Sequence, residues 1–396
     1  MSLGILFLFG KIGIVYAENE VTIGIIAHLT GPYGPGTRGI NEGAIDSIDA
    51  FNKFEPIRGV KLKSAWVDGA SSPAKSISAC KKMVSQHKPV MVIGWATPSA
   101  LATKGYLIKK KIASVDGGGT DALWELPSWT FSAQAPYVNQ LGGWVDFYLK
   151  NIWPKKGLKR APNFAWVTWD NAAGRASITD KVKEYIKSKG VNIVPGDGEF
   201  FPIAPTEVGA QMMRLKKNKV DFTYGMMLFP TAAAVLKGMG KTDLIDQISP
   251  CIAIPDPIIL VKQIGFLSRN TYFVNYFRPP NEWPQESPRI LEIYKKKGRQ
   301  NLPKLQYAAG FGWALPAAEA VKMAAMDVGS NNISGEACYN ALKRMKKYDR
   351  WNVGVPVGFG EKKRFGADSM LLFRLKGDDV ATAGVVKLPN LTKFQF

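Results

Sequence analysis

Val90-Met91-Val92-Ile93-Gly94-Trp95-Ala96-Thr97-Pro98-Ser99 and, some twenty residues on, Ile112-Ala113-Ser114-Val115-Asp116-Gly117-Gly118-Gly119-Thr120 decide how this chain folds. Val90–Gly94 is short, apolar and β-branched, as suits a strand buried in a parallel sheet. Thr97 is placed to N-cap a helix running to about Lys109, with Pro98 in its first turn. Ile112–Asp116 reads as the next strand, breaking at the three glycines and Thr120. Parallel neighbours bring both turns to one sheet edge, where open α/β folds hold ligands. Gly118 and Gly119 amides, a helix N-terminus and the hydroxyls of Thr97 and Thr120 would face one spot suited to a small carboxylate. Any strand-to-helix turn needs the same residue types, so these residues alone leave site and plain loop both open.

At 396 residues the chain exceeds one ordinary core, and two domains are expected. Leu3–Phe9 and Ile12–Tyr16 are apolar and end in Val15-Tyr16-Ala17 before acidic Glu18 and Glu20. Residues 1–17 thus resemble a secretory signal, although Lys11 interrupts them and no charged region leads them. They are short for a membrane span, and a periplasmic or extracellular (secreted) protein is expected. With 52 basic and 32 acidic residues the net charge is +20. Its lysines fall on helix faces and helix ends (Lys81-Lys82, Lys109–Lys111, Lys295–Lys297) and oppose the macrodipole there. Lacking an Arg-rich arm, a zinc pattern or an RNA-binding aromatic signature, they point away from nucleic acid. Cys80, Cys251 and Cys338 have no metal-ligand spacing; an oxidising compartment would permit a Cys251–Cys338 bridge.

Along the chain, strands alternate with helices. Val21–His28, a Gly/Pro turn, helix Arg38–Phe54, strand Val60–Val67 and a helix from Pro73 to His87 lead into the central unit. Trp129–Ala133 and helix Pro136–Ile152 carry the chain into a second series. That series comprises Phe164–Trp169, helix Arg175–Lys189, Ile193–Phe200, a helix capped by Thr206, Val220–Leu228, Ile248–Ile254 and Thr271–Phe277. Three later helices follow, the longest (Leu305–Val328) carrying Pro316. Val355–Phe359 and Met370–Leu375 read as a closing β-hairpin. Two α/β lobes of doubly wound sheet are the expected fold class.

Ile25-Ile26-Ala27-His28-Leu29-Thr30-Gly31-Pro32-Tyr33-Gly34, Asp68-Gly69-Ala70-Ser71-Ser72-Pro73-Ala74-Lys75, Val92-Ile93-Gly94 and Val220-Asp221-Phe222 occur in this order. As a set they resemble the type I periplasmic binding proteins, in particular the branched-chain amino acid and amide group (Leu/Ile/Val-binding proteins), over about residues 20–376. The resemblance implies two Rossmann-like lobes joined by three hinge strands, near Ala133–Asn139, Thr271–Phe277 and Asn352–Val357. Lobe one would be 20–137 plus 277–353, and lobe two 138–273 plus 354–396. It implies the substrate-binding component of an ABC transporter: a monomer without cofactor or metal, delivering a small-molecule ligand to a membrane permease. Ligand-binding positions carried over are Thr97, Gly118 and Thr120, with Gly119 and Pro98 beside them and Tyr33 and Trp95 as walls. In lobe two they are Asn171, Ala173, Leu228, Phe229 and Ile252.

Lobe two departs from the family pattern. Ala173 stands where the family has an aromatic, and Cys251–Ala253 holds no acid for a ligand ammonium, Asp170 and Asp256 being nearest. An aromatic or aliphatic acid or amide is therefore expected rather than leucine, with a branched-chain amino acid as the alternative. A ligand-sensing module of the same fold is a further reading. A nucleotide enzyme is disfavoured, because Gly31–Gly36 is not G-x-G-x-x-G and Pro32 and Pro35 remove two amides. His28 and His87 are the only histidines, and no nucleophile elbow or paired-His motif suggests catalysis.

Overall fold

The computed structural model describes residues 18–253 and 256–394. The signal-like residues 1–17 lie outside them. Strands β1 (Asn19–Ala27), β2 (Val60–Asp68), β3 (Met91–Gly94), β4 (Ala113–Asp116) and β5 (Thr130–Ser132) form one sheet in the order β2-β1-β3-β4-β5, parallel throughout. Its centre is buried on both faces, which is why β3 carries no polar side chain. At the edge, β2 alternates buried Val60 and Leu62 with exposed Lys61 and Lys63.

The second sheet is built from β6 (Asn163–Trp169), β7 (Asn192–Phe201), β8 (Phe222–Met226), β9 (Ser249–Ala253), β10 (Tyr272–Asn275), β11 (Ser369–Lys376) and β12 (Asp379–Lys387). Its order is β12-β11-β10-β9-β8-β6-β7, with the β10–β11 and β11–β12 pairs antiparallel. The molecule is thus a two-lobed α/β protein. The hairpin differs from expectation. Met370–Leu375 pairs not with Val355–Phe359 but with β12, through a turn at Gly377, whose φ of 60° suits glycine. Val355–Phe359 is no strand: Val357 bridges Tyr348, and Gly358 donates to Gly366 O. Arg364–Gly366, expected in lobe two, bonds instead to Ser132 at the edge of the first sheet. Helix Arg175–Lys189 is likewise two pieces, Ala172–Arg175 and Asp180–Ser188, and Val208, not Thr206, precedes helix Gly209–Lys217.

Helix Arg38–Phe54 buries Ile40, Ala44, Ile48 and Phe51 along one face. It crosses helix Lys304–Val328, which continues through Pro316, at a backbone-to-backbone approach that only glycine allows. A Cβ on Gly310 would sit 1.8 Å from Ile40 O, and one on Gly43 2.1 Å from Tyr307 O.

Where the chain passes between lobes, a buried guanidinium gathers the crossings. Arg350 donates to Ala133 O (3.4 Å), to Gly312 O (3.5 Å) and to Val355 O, and lies 5.1 Å over the Phe277 ring. Its burial draws the pKa down to about 9. Arg350, Trp351 and Asn352 all have positive φ (55°, 53° and 58°), a costly conformation for side chains of this size. All three cysteines are free and buried, so no Cys251–Cys338 bridge forms.

Candidate functional site

The strand ends of the two sheets face a cavity of about 120 Å³, measured as room for the centres of water molecules. The first lobe contributes Tyr33, Thr37, Trp95, Thr97 and Pro98, and helix Lys304–Val328 adds Trp313. From the second lobe come Trp169, Ala173, Met226, Leu228 and Ala253, while Gln134, Tyr137, Tyr276 and Phe277 line it from the crossings. Tyr33 stacks on Trp169 across the two lobes, centroids 6.3 Å apart.

Of the residues singled out from sequence, Tyr33, Trp95, Thr97, Pro98, Ala173 and Leu228 line this cavity. Gly118, Gly119, Thr120, Asn171, Phe229 and Ile252 are not on its wall, each for a local reason. The Gly118 amide donates to the protein's own Asp116 Oδ1 (2.6 Å). Gly119 lies against the Tyr137 ring, where a Cβ would be 2.6 Å from Cδ1. Thr120 precedes a 3₁₀ turn that carries the chain away at Asp121–Leu123. Asn171 Oδ1 caps the next turn, accepting from the amides of Ala173 and Gly174 (3.0 Å each). Phe229 opens the helix Phe229–Lys241. Ile252 is buried in the sheet core, and its neighbour Ala253 reaches the cavity instead.

Thr97 is not the helix cap. Ala96 holds that position without a side-chain bond, and Thr97 begins the helix Thr97–Lys109. Its hydroxyl pairs with Tyr137 OH at 3.1 Å, both residues being buried. Burial raises the Tyr137 pKa to about 12, against the opposing Thr97 bond. Burial also lifts Asp116 to about 7, partly offset by the Gly118 amide. Beside it, burial depresses His28 to about 4 although Asp68 pulls the other way. His28 Nδ1 accepts from the Ser71 amide (3.2 Å) and is a neutral structural imidazole.

Neither candidate acid for an ammonium reaches the cavity. Asp170 pairs with Arg175 at 2.6 Å, and Asp256 caps helix Pro257–Ile264 through Ile258 N (3.0 Å). Sequence reasoning missed Tyr137, Trp169, Gln134 and Trp313. Trp169 ends β6 and supplies a second-lobe aromatic that Ala173 does not. Its position at a strand end was a usable signal; Trp313, inside a long apolar helix, gave none. Among the described residues no group of three or more His, Cys, Asp or Glu could hold a metal ion, and no helix is long and apolar enough to cross a membrane.

A family model described as periplasmic binding protein matches residues 20–380. The Leu/Ile/Val-binding protein homolog 3 of Brucella melitensis biotype 1 is 26% identical over 196 residues, 46% of this chain and 50% of that protein. The chain thus spans about half the length of the curated relatives it matches. A branched chain amino acid ABC transporter structure from Thermus thermophilus with bound valine superposes with a TM-score of 0.81 at 18% identity, covering 95% of this chain and 98% of that one. A fatty acid ABC transporter substrate-binding protein from Thermomonospora curvata gives 0.78 at 16% identity, covering 94% and 93%. At these identities the structural likeness speaks for the fold.

Proposed function

The chain belongs to the periplasmic binding protein family, and from that premise we propose that it is the extracytoplasmic substrate-binding component of an ABC uptake transporter. Its ligand is a small carboxylate with an uncharged aromatic or aliphatic tail, or the related amide, held between the lobes and delivered to a membrane permease.

The observation that carries the ligand class is the charge of the wall. Among the described residues lining the cavity there is no Asp, Glu, Lys, Arg or His. A free amino acid would bring an ammonium, and burying it without a partner costs several kcal/mol. A carboxylate or amide oxygen fares better. It meets the N-terminal turn of helix Thr97–Lys109, and the chain's net charge of +20 attracts anions. Tyr33, Trp95, Trp169, Phe277 and Trp313 make much of the lining aromatic, which suits an apolar tail. At about 10–15 Å³ per water centre, the cavity takes a ligand of roughly ten non-hydrogen atoms.

Calorimetric titration with benzoate, 4-hydroxybenzoate, hexanoate, benzamide, L-leucine and L-valine tests this. Binding of an acid or amide with the amino acids inert is expected. Tight leucine or valine binding with the acids inert would overturn the ligand class.

A further inference from the structure

We infer that helices Pro73–His87 and Thr97–Lys109 of the first lobe form a basic face that holds the protein against an anionic lipid surface. From Gly69 to Val115 the chain carries eight lysines and no Asp, Glu or Arg. Both helices lie on one side of the first sheet, where Cys80, Met83 and Leu107 pack with Ile26 and Val92 of its strands. Their lysines therefore share one outer surface. Lys81 and Lys110, one from each helix or its end, sit 5.9 Å and 6.0 Å from the centroid of the same Tyr106 ring. Lys75, Lys81, Lys82, Lys88, Lys109 and Lys110 are exposed and have no ion-pair partner among the described residues, whereas Lys111 pairs with Glu336 at 3.1 Å.

Helix stabilisation does not account for this charge. Lysines at a helix C-terminus, such as Lys88 and Lys109, sit favourably against the macrodipole. Lys75 stands instead in the first turn of its helix, where the same dipole repels a cation, and Lys81 and Lys82 lie too far from either end to gain from it. The other side of the sheet is built differently. There Asp49, Glu42 and Asp46 of helix Arg38–Phe54 are answered by Lys297 (2.6 Å) and Arg299 (2.7 and 2.8 Å).

The kind of partner follows from what the face lacks. Stable protein interfaces are built round an apolar core and are poor in lysine. Among the described residues, the large exposed hydrophobic side chains, Trp66, Phe266 and Met326 among them, lie off these two helices. Ammonium groups on flexible stems suit a diffuse layer of phosphate charge, which asks for neither a pocket nor a fixed geometry. Each such lysine strengthens partition onto an anionic bilayer about fivefold. Lys88 and Lys111 precede β3 and β4, so they stand where these strands begin, while the ligand cavity lies where strands end. Contact with lipid and capture of ligand thus use opposite edges of the sheet, and the basic face serves whatever ligand the cavity takes.

The test is co-sedimentation of the full chain with vesicles of phosphatidylcholine and of an equal mixture of phosphatidylcholine and phosphatidylglycerol. Wild type should sediment with the mixed vesicles at low salt and stay in solution with phosphatidylcholine. It should be released at about 1 M salt, where the screening length falls to about 3 Å. Changing Lys81, Lys82, Lys109 and Lys110 together to Gln should weaken binding about a hundredfold or more. Changing Lys217, Lys237, Lys295 and Lys296 to Gln removes as much charge from exposed helix positions elsewhere and should weaken it less than about tenfold. Both variants should melt within about 4 °C of the wild type; where the first melts earlier, Lys81→Gln with Lys82→Gln alone is read instead, with about a tenfold loss or more expected. Equal sedimentation with both vesicle types, none with the mixed vesicles at low salt, or equal loss in the two fourfold variants overturns the assignment. Capture by poly-L-glutamate at the same salt, without vesicle binding, would assign the face to an acidic protein and overturns it too. None of these results bears on the ligand class, which the titrations above decide.

Discussion

Replacing Asp116 by Asn should make the protein more stable at neutral and alkaline pH than the wild type, the difference growing from about pH 4 to about pH 7 and holding constant above that. Asp116 is 4% exposed, and burial lifts its pKa from 3.8 to about 7. Its folded-state pKa lies above the unfolded value, so the native state holds a proton that the unfolded chain releases. Stability is therefore lost as pH rises from about 4 to about 7 and stays lost above that. The interval corresponds to roughly 4 kcal/mol. Asn keeps an oxygen for the Gly118 amide, which Asp116 holds at 2.6 Å, and cannot ionise. The wild type hides this slope because His28 opposes it. Burial lowers His28 from 6.5 to about 4, so its contribution is complete above pH 6.5 and is lost as pH falls toward 4, about 3 kcal/mol in all. The two side chains line one small cavity of about 10 Å³, the size of a single water. Urea unfolding of wild type and Asp116→Asn between about pH 4 and pH 8 gives the difference curve, in which all other titrating groups cancel. A difference that stays flat within about 1 kcal/mol would refute the assignment of a buried, proton-retaining carboxyl. His28→Asn should tilt the other way, gaining on the wild type as pH falls.

Thr97→Val removes the partner of Tyr137 OH and should cost about 1–3 kcal/mol of unliganded stability by urea unfolding; no loss would mean that the hydroxyl pair is not structural. Gly310→Ala drives a Cβ into Ile40 O, so it should lower stability by about 1–3 kcal/mol or more and visibly reduce Tm, whereas a neutral result would show that the two helices can separate freely. Ligand binding should compact the molecule, since the wall is drawn from both lobes; identical solution scattering with and without a bound probe would remove closure from the proposed mechanism.

The order of strands and helices was legible because its signals are local. Buried parallel strands such as Met91–Gly94 are apolar throughout, and helix Arg38–Phe54 carries its period of 3.6 openly. The hairpin was misread because Val355–Phe359 and Met370–Leu375 are both apolar runs with a Gly-, Lys- and Arg-rich stretch between them, whereas the turn at Gly377 selects β12 as the partner of β11. Half of the residues picked from sequence line the cavity for the same reason: Tyr33, Trp95, Thr97, Pro98, Ala173 and Leu228 follow strand ends, and strand ends face the cavity. What sequence could not give was how each polar group is engaged. A glycine amide after a strand looks free until the carboxyl two residues earlier folds back on it, as Asp116 does on Gly118. A threonine hydroxyl looks aimed at a ligand until a tyrosine forty positions on takes it, as Tyr137 takes Thr97. Conversely, Trp313 looks like packing inside a long apolar helix, and its place on the cavity wall is visible only once every neighbour is placed. Strand periodicity places a residue at the cavity, but hydrogen bonding decides which groups there remain free for a ligand, and that accounting is set by contacts distant in sequence.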